Sequence, residues 1–356
     1  MSHARLFAHL RDKLDQHRLF VMLGILFLAF RILAVPLLAP GGFVTSQGPD
    51  HSFHLNFAAL SSAGYYPYLG FWSEYPPVFP WLAVLAYRLS VALPAWDNPL
   101  LLFNTALRWG FVLFDVGNLG LLYAIANRLY DQRQAEWIAT AYSASFIPLF
   151  VFLTWFDTLP LFFLLLGIWG IIRDRAWVTG VGIGLGFLTK PFPLVTAPSA
   201  VQVFRRWPRW LVLGATAFLI IASALGPLLI ASPDYTLASI HALSGNAPWE
   251  TIWALLEGVI DFGIVAPLNE RVNPASAQQA SFESRLPWPL ITVLFLGLGL
   301  FLWTRRIDWQ DHQRSVSFVG LTLGLMLLYS KGFSPQWHLY VSTLALLCFP
   351  GWRGLL

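Results

Sequence analysis

The chain has 356 residues, of which 57% are hydrophobic and only 11% are charged, whereas an ordinary soluble domain carries about 25% charged residues. This composition excludes a water-soluble globular protein. The single cysteine, Cys348, excludes an intramolecular disulfide and a cysteine-based zinc site. The formal net charge of +4 indicates basic cytoplasmic loops rather than a nucleic-acid partner, because Lys and Arg concentrate on that side of membrane proteins.

Apolar runs long enough to form membrane helices recur along the whole chain. A helix needs about 20 apolar residues to cross roughly 30 Å of hydrocarbon. We therefore predict an all-α polytopic membrane protein, a single transmembrane domain over residues 1–356, with about ten spans, or eleven if residues 78–93 also cross. The ten predicted spans are residues 19–39, 106–129, 134–151, 155–172, 176–190, 191–204, 209–231, 286–304, 314–330 and 335–350.

Clusters of basic residues set the predicted topology. The basic segment from Arg5 to Arg18, ahead of the first span, predicts a retained signal anchor with a cytoplasmic N-terminus. Both termini are then cytoplasmic, as are 15 of the 22 Lys and Arg residues. An eleventh span at residues 78–93 would move the later basic clusters to the wrong side, so we predict a re-entrant or interfacial segment there. The short spans 176–190 and 191–204, separated by prolines, predict a buried hairpin.

This topology leaves two large extracytoplasmic loops, at residues 40–105 and 232–285. In the first loop, Phe53 and Phe57 recur at helical spacing and predict a short helix lying on the membrane surface. In the second loop, a similar stripe begins after Pro248, which suits the first turn of a helix. The apolar face of that predicted helix comprises Trp249, Ile252, Trp253, Leu256, Val259 and Ile260.

Asp50, just after the first span, is the first candidate for chemistry. One interpretation is a helix N-cap, for which Asp is a favoured residue. The other is a general base held at the outer membrane surface. His51 and His54 flank it, and this spacing suits either a role for His54 in orienting the carboxylate or a weakly supported divalent metal site. Beyond that weak possibility, the sequence predicts no cofactor.

Lysine is rare in this chain, and two of the three lysines fall at predicted outer ends of spans. These are Lys190 and Lys331. A compact ammonium at a membrane surface suits a phosphate ligand, although a lysine with no ligand also reaches toward the interface. Arg285, just before a span, suits either phosphate binding or the membrane interface.

Further polar residues occupy the same predicted side. Glu74 and Tyr75 precede two prolines, which hold the segment in a stiff, extended conformation. Asp157 falls at an outer turn and is a candidate for contacts with a ligand or an acceptor. Arg31 and Asp115 lie within predicted spans, and the simplest interpretation, above all for Asp115, is pairing with neighbours inside the bundle.

Five motifs appear in an order that resembles the GT-C superfamily of integral-membrane glycosyltransferases. Its bacterial mannosyltransferase-like branches and the mannosyltransferase of GPI-anchor synthesis are the most similar. The resemblance covers the chain from the first span to the last, with motifs that are weak singly and moderately specific together. The motifs are Asp50 after the first span, Glu74-Tyr75-Pro76-Pro77, Trp155-Phe156-Asp157-Thr158-Leu159-Pro160, Gly186-Phe187-Leu188-Thr189-Lys190-Pro191-Phe192-Pro193 and Ser330-Lys331-Gly332-Phe333-Ser334-Pro335-Gln336-Trp337.

The resemblance implies an inverting transfer of mannose or another hexose from a polyprenyl-phosphate donor to a lipid or glycan acceptor. This reaction would occur at the extracytoplasmic face of a membrane, which we expect to be the bacterial inner membrane. The resemblance implies that Asp50 is the base and that Lys331, Gln336 and His338 lie near the donor phosphate. Asp50 lacks a second acid two residues later, so the resemblance does not support an acidic metal-binding pair.

The resulting hypothesis assigns a role to each candidate. Asp50 is the catalytic base, and the other residues bind the donor phosphate or the remaining substrate atoms. The donor phosphate set is Lys331, Arg285, Lys190, Gln336 and His338, and the substrate set is His51, His54, Glu74, Tyr75 and Asp157. The partners are then the lipid-linked donor, the acceptor and membrane lipids. The alternative is a transporter or flippase for a lipid-linked saccharide, and a third possibility is a non-catalytic membrane scaffold.

Overall fold

The computed structural model describes residues 12, 14–44, 49–93, 98–259, 267–279 and 282–355. Within these ranges, the side chains of residues 49–51, 99, 243 and 244 are left undescribed. The described part is helical, with no strand and two isolated bridges, Pro67 with Phe71 and Trp249 with Gly332. The all-α prediction is therefore confirmed.

The helices follow one another closely from the first predicted span to the last. Short 3-10 helices at Leu60–Ala63, Phe192–Thr196, Leu268–Glu270, Pro335–Trp337 and Trp352–Gly354 complete the described set. The α-helices are α1 (Arg18–Leu38), α2 (Pro49–Ala59), α3 (Val78–Val91), α4 (Pro99–Leu129), α5 (Gln132–Ala144), α6 (Phe146–Thr154), α7 (Thr158–Ile172), α8 (Ala176–Phe187), α9 (Ala197–Phe204), α10 (Trp207–Ala231), α11 (Pro233–Gly245), α12 (Ile252–Glu257), α13 (Ser276–Gln279), α14 (Trp288–Trp303), α15 (His312–Tyr329) and α16 (His338–Cys348).

Each predicted span coincides with a helix or with two consecutive helices. Among the described residues, α1, α4 and α10 are single helices long and apolar enough to cross a membrane, and α5 with α6 becomes a fourth if counted together. Helices α1 and α10 expose apolar side chains over most of their length, which suits contact with lipid tails. The protein is thus an integral membrane protein, and the number of spans stays a prediction.

Two predicted spans differ from the observed helices in instructive ways. Helix α4 begins seven residues earlier than predicted, because the Asn98 side chain caps it by accepting the backbone N–H of Leu100 at 3.1 Å. Predicted span 134–151 is broken at Ser145 into α5 and α6, which are bent by 51°. The bend follows from Pro148, whose ring clashes with the carbonyl four residues earlier in a continuous helix.

The buried hairpin is confirmed. Helix α8 packs between α7 and α10 with most of its residues buried. Helices α7 and α8 approach closely at Gly182, which has no side chain. A Cβ at this position would lie 2.7 Å from the Gly167 backbone nitrogen. This tight packing fixes the turn after α8, which carries Lys190, relative to the turn before α7, which carries Asp157.

The amphipathic helix predicted from Trp249 to Ile260 is confirmed only in its middle, where α12 forms. The described residues on either side of α12 are not helical, and Ile260 lies outside the described residues. Helix α12 begins after Thr251, whose hydroxyl accepts the N–H of Ala254, and ends at Gly258 with a left-handed φ of 70°. Pro248 therefore precedes the helix rather than starting it, and Trp249 lies in an extended segment instead.

Candidate active site

Helix α2 carries the predicted base, and it forms where the aromatic spacing of the first loop predicts a helix. Asp50 lies in the first described turn of this helix, which the structure describes from Pro49. Its interpretations as an N-cap and as a base both stay predictions. The side chains of Asp50 and His51 lie outside the described residues. One turn later, Phe53 and His54 are described and show what the helix packs against.

His54 ties α2 to the Glu74-Tyr75-Pro76-Pro77 motif. Its ring is buried and lies edge-on to Phe79, with ring centroids 4.9 Å apart, and 6.0 Å from the Tyr75 ring. These contacts place the predicted substrate residues His54 and Tyr75 side by side, as expected for members of one site.

Glu74 pairs with Arg271, a residue that the sequence analysis did not single out. The Arg271 guanidinium is fully buried and donates to both Glu74 carboxylate oxygens, the second at 3.1 Å. It also lies 5.0 Å from the Phe53 ring and 4.8 Å from the Trp72 ring. A cation over an aromatic face is attracted to its electrons, so Arg271 holds α2 and the motif together. One signal was present: Arg271 and Arg285 are the two basic residues of loop 232–285.

Backbone contacts also join the two large loops. The Trp72 backbone N–H donates to the Arg271 carbonyl at 3.1 Å, and its indole N–H donates to the Ser276 hydroxyl at 2.9 Å. The Ser73 N–H donates to the Ser239 hydroxyl of α11 at 3.0 Å. Loops that are separated by more than 150 residues in sequence therefore form one surface.

Asp157 and Lys190 form a buried ion pair. The Lys190 ammonium donates to both Asp157 oxygens at 2.7 Å, and the Tyr340 hydroxyl donates to one of them at 2.7 Å. Asp157 is fully buried. Arg108 fixes the preceding helix end by donating to the carbonyls of Leu153 at 3.0 Å and Thr154 at 3.2 Å. Two of the predicted motifs meet at this pair, and Tyr340 of α16 completes it.

Phe156 connects this ion pair to the first loop. Its ring stacks on the Phe79 ring, with centroids 4.0 Å apart, and lies edge-on to the Tyr75 ring at 5.5 Å. The Lys190 ammonium lies over the Phe156 ring, 4.5 Å from its centroid. The Val78 N–H also donates to the Leu188 carbonyl at 3.1 Å. The first-loop motif thus packs directly on the turns that carry Asp157 and Lys190.

The fifth motif pairs with the second loop. Trp249 donates its backbone N–H to the Lys331 carbonyl at 3.2 Å and accepts the N–H of Phe333 at 3.0 Å. Its indole N–H donates to the Ser334 hydroxyl at 3.1 Å. The indole covers Gly332 so closely that a Cβ there would lie 2.2 Å from a ring carbon. This contact explains why the motif needs glycine and holds Lys331 in place.

The other predicted phosphate ligands lie along or opposite this motif. Gln336 is half-buried in the 3-10 helix, and His338 is exposed with its ring edge-on to Phe333 at 5.1 Å. The Lys331 ammonium lies 5.3 Å from the Trp288 ring centroid. Partial burial lowers the pKa of Lys331, and the nearby Glu257 carboxylate opposes that shift.

An apolar cavity of about 580 Å³ lies between α9, α14 and α15. Its lining includes Phe295, Trp303, Phe318 and Met326. At one end it is bordered by Thr292 and Tyr329, whose hydroxyls are 2.8 Å apart. Trp288, which contacts Lys331, precedes Thr292 by one turn of α14, so this end of the cavity lies next to Lys331.

Arg31 and Asp115 pair with each other inside the bundle, as predicted. The Arg31 Nε donates to Asp115 at 2.9 Å, and the Tyr142 hydroxyl donates to the other Asp115 oxygen at 2.7 Å. All three residues are buried. The described side chains hold no group of three His, Cys, Asp or Glu residues arranged as a metal site, and those of Asp50 and His51 fall outside that search.

Comparisons with known proteins give a family and a fold. Residues 74–330 match glycosyltransferase family 87, and no curated protein matches the chain significantly. The crystal structure of ArnT from Cupriavidus metallidurans bound to undecaprenyl phosphate is similar, with a TM-score of 0.52 and 15% identity, over 96% of this chain and 60% of that chain. The apo ArnT structure aligns with a TM-score of 0.37 and 16% identity, over 95% and 76% of the two chains.

The chain therefore spans less than two thirds of the length of the ArnT chain with which it shares its fold. The similarity in fold is taken from the ArnT structure with the TM-score of 0.52. Together with the family match, it confirms the GT-C-like architecture predicted from the five motifs.

Proposed function

The chain belongs to glycosyltransferase family 87, and on this basis we propose that it transfers a hexose, mannose or a relative, from a polyprenyl-phosphate donor. The acceptor is a lipid or glycan at the extracytoplasmic face of a bacterial inner membrane, with both termini of this chain cytoplasmic. Family membership favours a transferase over the transporter, flippase and scaffold alternatives.

The apolar cavity beside Lys331 is the observation that carries the donor assignment. A polyprenyl phosphate has a long apolar chain and one anionic end. The cavity offers about 580 Å³ of apolar space, and its Thr292–Tyr329 end lies near the cationic side chain of Lys331. The related ArnT structure contains undecaprenyl phosphate, which supports the same class of lipid here.

Asp50 acts as the base in the proposed reaction. Its carboxylate accepts the proton of the acceptor hydroxyl as that oxygen attacks the anomeric carbon. The bond between this carbon and the phosphate oxygen breaks, the phosphate leaves with the electron pair, and the configuration inverts. Helix α2 presents Asp50 on the same element as His54, which contacts Tyr75.

Positive charge at the departing phosphate lowers the barrier by stabilising the charge that develops there. Lys331 and Arg285 are the main candidates, with Gln336 and His338 as hydrogen-bond donors on the same motif as Lys331. Lys190 already donates to both Asp157 oxygens. We therefore assign Lys190 a secondary role at the phosphate. Its ion pair with Asp157 holds the turn after α8 against the turn before α7.

The sugar and acceptor contacts fall to the first-loop residues. Glu74 is partly exposed, with 17% of its side-chain surface accessible, so one carboxylate edge is available to sugar hydroxyls while Arg271 fixes its orientation. Tyr75, His51, His54 and Asp157 complete this set. In this proposal, cationic side chains rather than a metal ion stabilise the leaving group.

The proposal is tested with purified protein in lipid nanodiscs. Polyprenyl-phosphate hexoses and nucleotide hexoses are offered separately with a panel of lipid and glycan acceptors. We expect transfer from the lipid-linked donors and release of polyprenyl phosphate. Arg285→Gln should lower the rate, and Arg306→Gln, at an exposed residue of a predicted cytoplasmic cluster, should not. Transfer from nucleotide sugars alone, or transbilayer movement of the lipid without transfer, would overturn the proposal.

A further inference from the structure

The carboxylate of Glu257, at the end of α12, lies in a ring of hydrogen-bond donors formed by the next loop segment. It accepts the backbone N–H groups of Arg285 and Leu286, each at 3.1 Å, and the Ser284 hydroxyl. These three donors and the positive charge of Arg285 lower the pKa of Glu257. The segment 284–286 therefore binds an anion, and in this structure the anion belongs to the protein itself.

Cationic side chains add to these donors. The charge of Arg285 acts on Glu257, and the charges of Glu257 and Lys331 act on each other. Both cations are ones that the proposed mechanism needs at the donor phosphate. A carboxylate that neutralises them competes with any phosphate for the same positive charge.

The anion-binding segment is joined directly to the apolar cavity. The Trp288 indole N–H donates to the Ser284 hydroxyl at 2.7 Å. One turn along α14, Thr292 donates to the Trp288 carbonyl at 2.8 Å and borders the cavity together with Tyr329. Trp253 of α12 lies against Trp288, with ring centroids 5.5 Å apart. An apolar chain in the cavity would thus place an anionic end beside Ser284.

We propose that Ser284, the backbone amides of Arg285 and Leu286, and the Lys331 ammonium form the phosphate-binding site of the lipid donor. Glu257 occupies this site, and the donor phosphate displaces its carboxylate. Phosphate oxygens accept the same N–H and O–H donors as a carboxylate, so each hydrogen bond that Glu257 gives up is remade to the ligand.

Occupation of the site by Glu257 reduces the apparent affinity for the donor. Only the fraction of molecules in which the carboxylate is out of the site can bind the phosphate. Removing the Glu257 charge therefore tightens binding. This gain separates the inference from a structural role, since the loss of a structural contact weakens binding. The inference rests on the proposed lipid-phosphate donor.

The experiment measures binding of undecaprenyl phosphate to the purified chain in nanodiscs, with undecaprenol as the ligand that lacks phosphate. Glu257→Gln and Glu257→Ala should each lower the Kd for undecaprenyl phosphate by roughly fivefold or more, at the lower end of usual coupling between sites. Neither should change the Kd for undecaprenol. The matched control is Glu283→Gln, an exposed acid in the same segment, which should leave both values unchanged.

The outcomes separate the inference from the proposed function. If the unchanged protein fails to bind undecaprenyl phosphate more tightly than undecaprenol, the lipid-phosphate donor itself is wrong. If it does bind but both Glu257 variants bind equally or more weakly, the inference is wrong and the proposed function stands. Thermal unfolding of each variant shows that the folded protein is being compared, and Ser284→Ala should weaken binding of undecaprenyl phosphate in every background.

Discussion

Replacing Arg271 with glutamine tests how the two outer loops are held together. The substitution removes the guanidinium that donates to both Glu74 oxygens and lies 4.8 Å from the Trp72 ring. Removing one partner of a buried ion pair costs about 3–5 kcal/mol. Glu74 keeps 17% of its side-chain surface accessible, so water offsets part of the loss. A lost cation–aromatic contact adds about 0.5–1 kcal/mol, and we expect about 3–4 kcal/mol in total.

This cost should appear locally, because Arg271 joins segments rather than filling the core of the bundle. Amide hydrogen exchange reports such local opening. At about 1.4 kcal/mol per tenfold change, the backbone N–H of Trp72, which donates to the Arg271 carbonyl, should exchange roughly 100 to 1,000 times faster. Amides of residues 267–279 should show the same change, and those of α7 should not.

A double-mutant cycle identifies the pair as the cause. Glu74→Gln combined with Arg271→Gln should cost less than the sum of the two single substitutions, because contacting residues are not additive. The control is Arg314→Gln, which breaks an exposed pair with Asp311 and should cost about 0–1 kcal/mol. Additive effects at Glu74 and Arg271, or unchanged exchange in Arg271→Gln, would refute the reasoning.

Three further predictions follow from other parts of the site. Gly332→Ala should abolish transfer and lower the Tm, because the new Cβ would lie 2.2 Å from a ring carbon of Trp249. Gly324→Ala, whose Cβ meets open space, should behave as the parent does. Asp157→Asn should lower both the Tm and the transfer rate, because it leaves the Lys190 ammonium without its carboxylate partner. Asp174→Asn removes an exposed ion pair and should change neither quantity. The Glu257 contact should persist as pH falls through the ordinary range of a glutamate and be lost only below it, because the folded pKa is lowered. Amide exchange at residues 285 and 286, corrected for the intrinsic effect of pH, measures this, and loss of protection already near neutral pH would contradict it.

The helices were predictable because the membrane imposes their length and their apolar character. The turns that carry Asp157, Lys190 and Lys331 were also predictable, since charged residues interrupt the apolar runs there. The partner of Glu74 was not, because Arg271 is 197 residues away and nothing local marks the pair. Long-range pairing of this kind depends on how the loops pack, which one sequence does not encode in its spacing.

Two local errors have physical explanations in the sequence itself. The helix predicted after Pro248 rested on apolar periodicity, but the Thr251 cap and the left-handed Gly258 decide its ends. The bend at Ser145 follows from Pro148, which lies in an otherwise apolar run. In both cases capping residues and proline override a periodic pattern.

The most direct test of the account is the transfer rate of Asp50→Asn under single-turnover conditions. The assay uses the protein in nanodiscs with a polyprenyl-phosphate hexose and the acceptor that the panel identifies. General base catalysis contributes about 10²–10⁴-fold, so the account predicts a loss of that size in rate with donor binding unchanged, and a product of inverted configuration from the parent. A rate for Asp50→Asn equal to that of the parent would contradict it.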